Sequence, residues 1–256
     1  MWFAQAHTLL KFELYTRIHE YSSLDYSARP SGIIPPPTGN TAMLIWLING
    51  APIFIVVSSL ATVVVAITVH EFAHALTADW LGDPTPRSQG RLTLDPRRHL
   101  DPFGTIMIIL AWFGWGKPVY TDPRYFRTDA RTGMALVAGA GPLSNLLLAY
   151  LASFPYRAGL MSPESLSYSV ASLFIYLNVT LIVFNLLPVA PLDGYRVAVG
   201  LLPHEWAVNV ARFERQGPLL LMLLIMSGSM FNFNFLGTII DPPREILLNI
   251  LLPMSN

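Results

Sequence analysis

Val69-His70-Glu71-Phe72-Ala73-His74-Ala75 ends an apolar run that begins near Pro52. On a helix, residues four apart stand above one another, so His70 and His74 can both turn an imidazole nitrogen toward one Zn²⁺. Glu71 then lies beside that ion. Bound zinc lowers the pKa of a water toward neutrality, and a neighbouring carboxylate can take its proton and pass it to a leaving amine. This is the H-E-x-x-H spacing of a zinc metalloprotease. Chance is the competing explanation, and the setting weakens it: ionisable groups inside a membrane-length apolar run are costly and are functional by default.

Outward from this stretch the chain stays apolar. Of its 256 residues, 53% are hydrophobic and only 12% charged, with a mean hydropathy of +0.47. Soluble domains carry about twice that share of charge. The apolar residues gather into runs long enough to cross a bilayer, which predicts a polytopic α-helical membrane protein. A formal net charge of zero offers no basic face for nucleic acid and no acidic tail. No cysteine is present, so thiolate ligands and disulfides are excluded and any metal must be held by His, Asp or Glu.

Residues 1–40 lack the charged stub, apolar core and cleavage site of a secretory signal. Arg29-Pro30-Ser31-Gly32 and Pro35-Pro36-Pro37 predict an extended linker there. The expected division is a leader and linker over 1–40 and a membrane domain over 41–256.

Four spans are expected. The first begins at about Pro52, where proline suits an opening helical turn, and stops at Gly82-Asp83-Pro84. From Pro52 to His70 the rise is about 27 Å, which puts the histidines in the far part of the bilayer. Gly90-Arg91-Leu92-Thr93-Leu94-Asp95 alternates as a short membrane-associated β element would. Phe103 to Trp112 is half a span long and predicts a re-entrant or partly inserted segment; a tilted full span is the alternative, and it would invert everything downstream.

The second span, about Gly133 to Phe154, contains Gly139, Gly141 and Asn145. Small residues there suit close helix packing. An amide in an apolar helix needs a partner, so Asn145 serves either a helix-to-helix hydrogen bond or a substrate carbonyl, and the residues alone leave both open. The third span, about Ser169 to Leu187, runs into Pro188, Pro191 and Asp193-Gly194. Asp-Gly by itself is an ordinary turn pair. Beside a two-histidine site that wants a third protein ligand, Asp193 becomes the better candidate for that ligand. A fourth span is expected over about Pro218 to Leu236, followed by an amphipathic tail from Arg244 to Pro253. Met222, Met226 and Met230 at helical spacing predict packing rather than a metal path.

Loops 82–131 and 191–216 hold eight and three basic residues against five elsewhere. The positive-inside rule makes their side cytoplasmic. His74 and Asp193 then share that side. The expectation is a multi-pass protein of a prokaryotic cell membrane with its site near the cytoplasmic face.

These ordered motifs resemble the site-2 protease family, in particular its small members without PDZ or CBS domains. The resemblance covers about residues 52–237. It rests on His70 to His74, on Gly141-Pro142-Leu143-Ser144-Asn145, and on Asn185 to Gly194. Gly90 to Pro96, His99-Leu100-Asp101-Pro102 and Lys117-Pro118-Val119 are also similar. The chain departs from metzincins, which need glycine and histidine where Thr77 and Trp80 stand.

The resemblance implies one Zn²⁺ per chain on His70, His74 and Asp193, with Glu71 as general base and acid and Asn145 as a substrate-positioning residue. It implies hydrolysis of a peptide bond in or near a transmembrane segment of a substrate protein, within a lipid bilayer and without nucleic acid. It also implies a strand over 86–96 against which an unwound substrate could pair. A divalent-metal transporter using the same residues is the alternative, although Glu71 and the lack of a repeated His/Asp set count against it.

Overall fold

The computed structural model describes residues 53–111, 115–162, 165–230 and 235–252. The 1–40 leader lies outside the described residues. Helix α1 covers Ile53–Trp80, followed by the single turns α2, Thr85–Ser88, and α3, Pro96–His99. Helix α4 is Pro102–Ala111, α5 is Ala130–Arg157 and α6 is Leu166–Asn185. Then come α7, Asp193–Leu201, α8, His204–Ala211, α9, Gly217–Met230, and α10, Phe235–Leu251.

Among the described residues, α1, α5 and α6 are long and apolar enough to cross a membrane. Both α1 and α5 have 28 residues, a length of about 42 Å against a hydrocarbon core of about 30 Å. Their burial pattern is the reverse of a soluble protein's. Ser59, Thr62, Asn145, Ser153 and Asn178 are buried, while Leu143, Leu147, Leu151 and Phe154 on α5 are exposed. Polar groups face their partners inside the bundle and aliphatic ones face outward, as an apolar solvent requires. The chain is an integral membrane protein.

Helix α5 is the central element and packs against α1, α6 and α7. It starts where Asp129 accepts the backbone N–H groups of Arg131 and Thr132, which satisfies two of the otherwise orphaned donors of its first turn. Ala149 of α5 joins Ile175, Tyr176 and Val179 of α6 and Leu248 and Leu251 of α10 in one apolar cluster. Val183, Leu187, Leu192, Leu221 and Ile240 form a second, beneath the bend between α6 and α7.

Helix α1 stops at the expected place. Gly82 takes a φ of +108°, a conformation that L side chains rarely adopt. A Cβ there would also lie 2.8 Å from the Tyr125 carbonyl oxygen. Asp83, fully buried, then accepts from the backbone N–H of Thr85 at 2.9 Å and of Asp122 at 2.7 Å.

One expectation is revised. Residues 90–95 form bends rather than a strand, because their backbone groups are used locally: the Thr93 N–H donates to Arg91 O and its carbonyl accepts from His99 Nε2. The β-type pairing among the described residues lies elsewhere, in an antiparallel bridge between Leu100 and Gly116. Lys117 N–H donates to His99 O at 2.6 Å beside it. The chain thus enters the half-length segment at Leu100 and leaves it at Gly116, side by side, with α4 between. Of the expected run 218–236, α9 over Gly217–Met230 and the start of α10 at Phe235 are described, and residues 231–234 lie outside the described residues.

Candidate metal centre

Helix α1 carries His70 and His74 on its buried face, one turn apart, with ring centroids 4.6 Å apart and planes perpendicular. Asp193 is the first residue of α7, where the positive end of the helix favours an ionised carboxylate. Its Oδ2 lies 2.9 Å from Nε2 of His70 and 3.4 Å from Nε2 of His74. One donor atom from each of the three residues falls within 4.8 Å of the others. All three sit together as the sequence suggested, although 118 residues of chain lie between His74 and Asp193.

The protonation of both rings can be traced to backbone carbonyls. Asn178 Nδ2 donates to Phe174 O at 2.9 Å, which leaves its Oδ1 as an acceptor. Asn145 must then present its NH₂ to Asn178, at 2.9 Å, and to Ala66 O, at 3.4 Å. Its Oδ1 faces His70 Nδ1 at 2.6 Å, so that nitrogen carries the proton. His74 Nδ1 likewise donates to Val137 O at 2.7 Å. In the neutral rings that a metal requires, both Nε2 atoms are then lone-pair acceptors.

Two imidazole lone pairs and a carboxylate oxygen thus converge in a buried place. Oδ2 of Asp193 makes no hydrogen bond among the described residues. Three acceptors with no donor between them repel one another unless a cation joins them. Two imidazole nitrogens and one carboxylate oxygen form a donor set that suits Zn²⁺ and leaves a coordination position open. The residues present fit the metal, and the second nitrogen of each ring is held as ligating histidines require.

Gly141 explains why the approach is possible. A Cβ there would stand 2.5 Å from Nε2 of both His70 and His74. Small-residue helix packing was the expected use of this glycine; its nearest neighbours are the imidazoles themselves. Asn145 is fully buried and its polar atoms are engaged by His70, Asn178 and Ala66. Of the two roles left open by its residue type, the structure displays the hydrogen bond between helices.

Glu71 is half-buried, and Gly116 passes close to it: a Cβ on Gly116 would lie 3.5 Å from Glu71 Oε1 and 2.9 Å from the Ile67 side chain. That approach is pinned by Arg91, a buried guanidinium that donates to the carbonyls of Arg98, Lys117 and Pro118. Burial pulls its pKa below the ordinary arginine value, with the Glu71 charge acting in the opposite direction.

Sequence reasoning missed Asn178, Val137 and Arg91. Asn178 was findable, as a second amide in an apolar helix. Val137 contributes only a backbone carbonyl, which its side chain does not advertise. Arg91 was counted as one of many loop cations.

Residues 58–227 match the model of peptidase family M50. "Putative zinc metalloprotease YwhC" of Bacillus subtilis is 40% identical over 65% of this chain and 78% of its own length. "Putative zinc metalloprotease Rip2" of Mycobacterium tuberculosis is 33% identical over 83% of this chain and 86% of its own. The protein of the same name from Mycolicibacterium smegmatis is 29% identical over the same shares. No solved structure matches the chain. The matched region contains both histidines, Glu71 and Asp193, and the chain belongs to peptidase family M50, the site-2 proteases.

Proposed function

We propose that this protein is an intramembrane zinc metalloprotease that hydrolyses a peptide bond in or near a transmembrane segment of a substrate protein. The observation that carries this reading is the convergence of three acceptor atoms, from His70, His74 and Asp193, beside Glu71 and among membrane-spanning helices. One Zn²⁺ per chain is the proposed occupant. Zinc held there supplies a Lewis acid that polarises a peptide carbonyl and makes water a better nucleophile near neutral pH. Glu71 takes the proton of the attacking water and returns it to the leaving amine. Nothing in the comparisons favours metal transport.

The substrate must unwind, since a helix hides its scissile carbonyl behind its own hydrogen bonds. The run from Trp115 to Pro118 is the proposed place for the unwound segment, in place of 86–96. In the Leu100–Gly116 pair the linking bond runs between their neighbours, so the Gly116 N–H and C=O point away from the Leu100 edge. Such an edge can accept another strand, close to Glu71.

The finer topology is part of the same proposal: four spans, with α9 and the residues after it forming the fourth, and Asp101 to Trp115 as a re-entrant segment. The adjacency of Leu100 and Gly116 supports re-entry. Residues 41–256 are the proposed protease domain. The bacterial relatives support a prokaryotic cell membrane, and the basic loops support a site near its cytoplasmic face.

Purified protein in detergent should contain one zinc per chain and cleave a model transmembrane substrate. Cleavage should stop with chelator and in Glu71→Gln, while Asp193→Ala should lose the zinc. Cleavage that persists in Glu71→Gln would sink the mechanism, and full zinc content in Asp193→Ala would remove the third ligand.

A further inference from the structure

Asp193 sits at the start of a nine-residue helix, and the far end of that helix is held by one side chain. Arg131, in the first turn of α5, donates from Nε to Val199 O at 2.6 Å and from Nη2 to Gly200 O at 3.2 Å. Those are C-terminal carbonyls of α7, which lack partners within the helix and carry its negative dipole end. A planar fork with fixed charge meets both requirements at once.

The rest of the packing makes α7 a rod clamped at two ends. At its start, a Cβ on Gly194 would lie 2.2 Å from the Leu186 carbonyl, so that end is pressed against the end of α6. At its finish, a Cβ on Gly200 would lie 2.2 Å from that of Ala135 on α5. Helix α5 meanwhile holds His74 through Val137, borders both rings at Gly141 and holds His70 through Asn145. Those three positions lie four apart on one face. Arg131 extends the same frame by two turns, so a single helix sets all three acceptors relative to one another.

We propose that Arg131 is a positioning residue for the third metal ligand: by gripping the C-terminus of α7 it fixes the rotation and tilt of that helix, and so the placement of the Asp193 carboxylate about 10 Å away along the helix. The proposal rests on the reading of Asp193 as a zinc ligand. Without the clamp, α7 frays from its last turn and rolls about the Gly194 contact, and the carboxylate leaves its position beside the two imidazoles. Lysine restores the charge but not the fork.

The test is zinc affinity of the purified full chain in detergent, by chelator competition, together with the d–d absorption of the Co²⁺-loaded protein. Arg131→Ala should weaken zinc binding by about tenfold, the lower range for a group that orients a ligand, and should shift the Co²⁺ bands. Arg131→Lys should fall between it and wild type. Arg157→Ala, at the other end of α5, removes a long contact to Ile250 O and should change neither readout. In an Asp193→Ala background, Arg131→Ala should weaken the residual binding no further, because its effect passes through Asp193.

Wild-type affinity and spectrum in Arg131→Ala, with binding lost in Asp193→Ala, would overturn the clamp and leave the ligand reading intact. Wild-type affinity in Asp193→Ala would overturn both. Equal losses from Arg131→Ala in the two backgrounds would reduce Arg131 to a general structural role. If the alanine variant does not fold, Arg131→Lys and Arg131→Gln give the same comparisons.

Discussion

At the scale of single residues, the site is a chain of hydrogen bonds that ends on backbone carbonyls. Phe174 O orients Asn178, Asn178 orients Asn145, and Asn145 sets the tautomer of His70. This makes Asn145 a group that prepares a ligand, and the resemblance to site-2 proteases implies a second role toward substrate. The two roles separate in kinetics. Asn145→Ala should lower zinc affinity by about 10- to 100-fold, with activity at saturating zinc returning toward wild type and KM little changed. A raised KM at full zinc occupancy would instead place the amide on the substrate. His74 needs no such relay, because Val137 O receives its Nδ1 proton directly.

At the scale of elements, α5 is the frame and the half-length segment is the cover. Arg91 ties the two flanks of the cover together. Its guanidinium holds 98, 117 and 118 together and so keeps the Gly116 run beside Glu71. In Arg91→Ala, the carbonyls of the exposed residues Arg98, Lys117 and Pro118 lose their shared donor and turn to water, at a net cost of about 0.5–1.5 kcal/mol for each hydrogen bond. The proposed zinc ligands lie on α1 and α7 and keep their own supports. The expected result is unchanged zinc content, faster amide exchange over 115–117, and a fall of about tenfold or more in kcat/KM for a transmembrane substrate, the scale of misplacing a positioning element. Loss of zinc in this variant would contradict that separation. The strand expected at 90–95 failed for an element-level reason: alternation marks a pattern that can pair, but a strand exists only with a partner edge. The edge was taken by Leu100 and Gly116.

At the scale of the whole molecule, the absence of cysteine makes topology directly testable. Thr128→Cys, in the basic loop before α5, and Ser162→Cys, after α5, should label from opposite sides of the membrane in cells, with Thr128→Cys protected from an impermeant outside reagent. Labelling of Thr128→Cys alone from outside would reverse the proposed arrangement, and labelling of both would contradict the crossing of α5. Much of the architecture was legible in the chain itself. The apolar runs, the Gly82 stop, the histidine pair and the basic loops are local patterns, because bilayer thickness and helical periodicity act on neighbours in sequence. The nearness of Asp193 to the histidines could be expected because two histidines leave a zinc site one ligand short. The tertiary structure decided the rest: the use of Val137 O and Asn178, the place of Gly141 against the imidazoles, the Leu100–Gly116 pairing, and the hold of Arg131 on α7. These are contacts between distant segments through backbone carbonyls and missing side chains, and neither leaves a mark in residue type until the chain is folded.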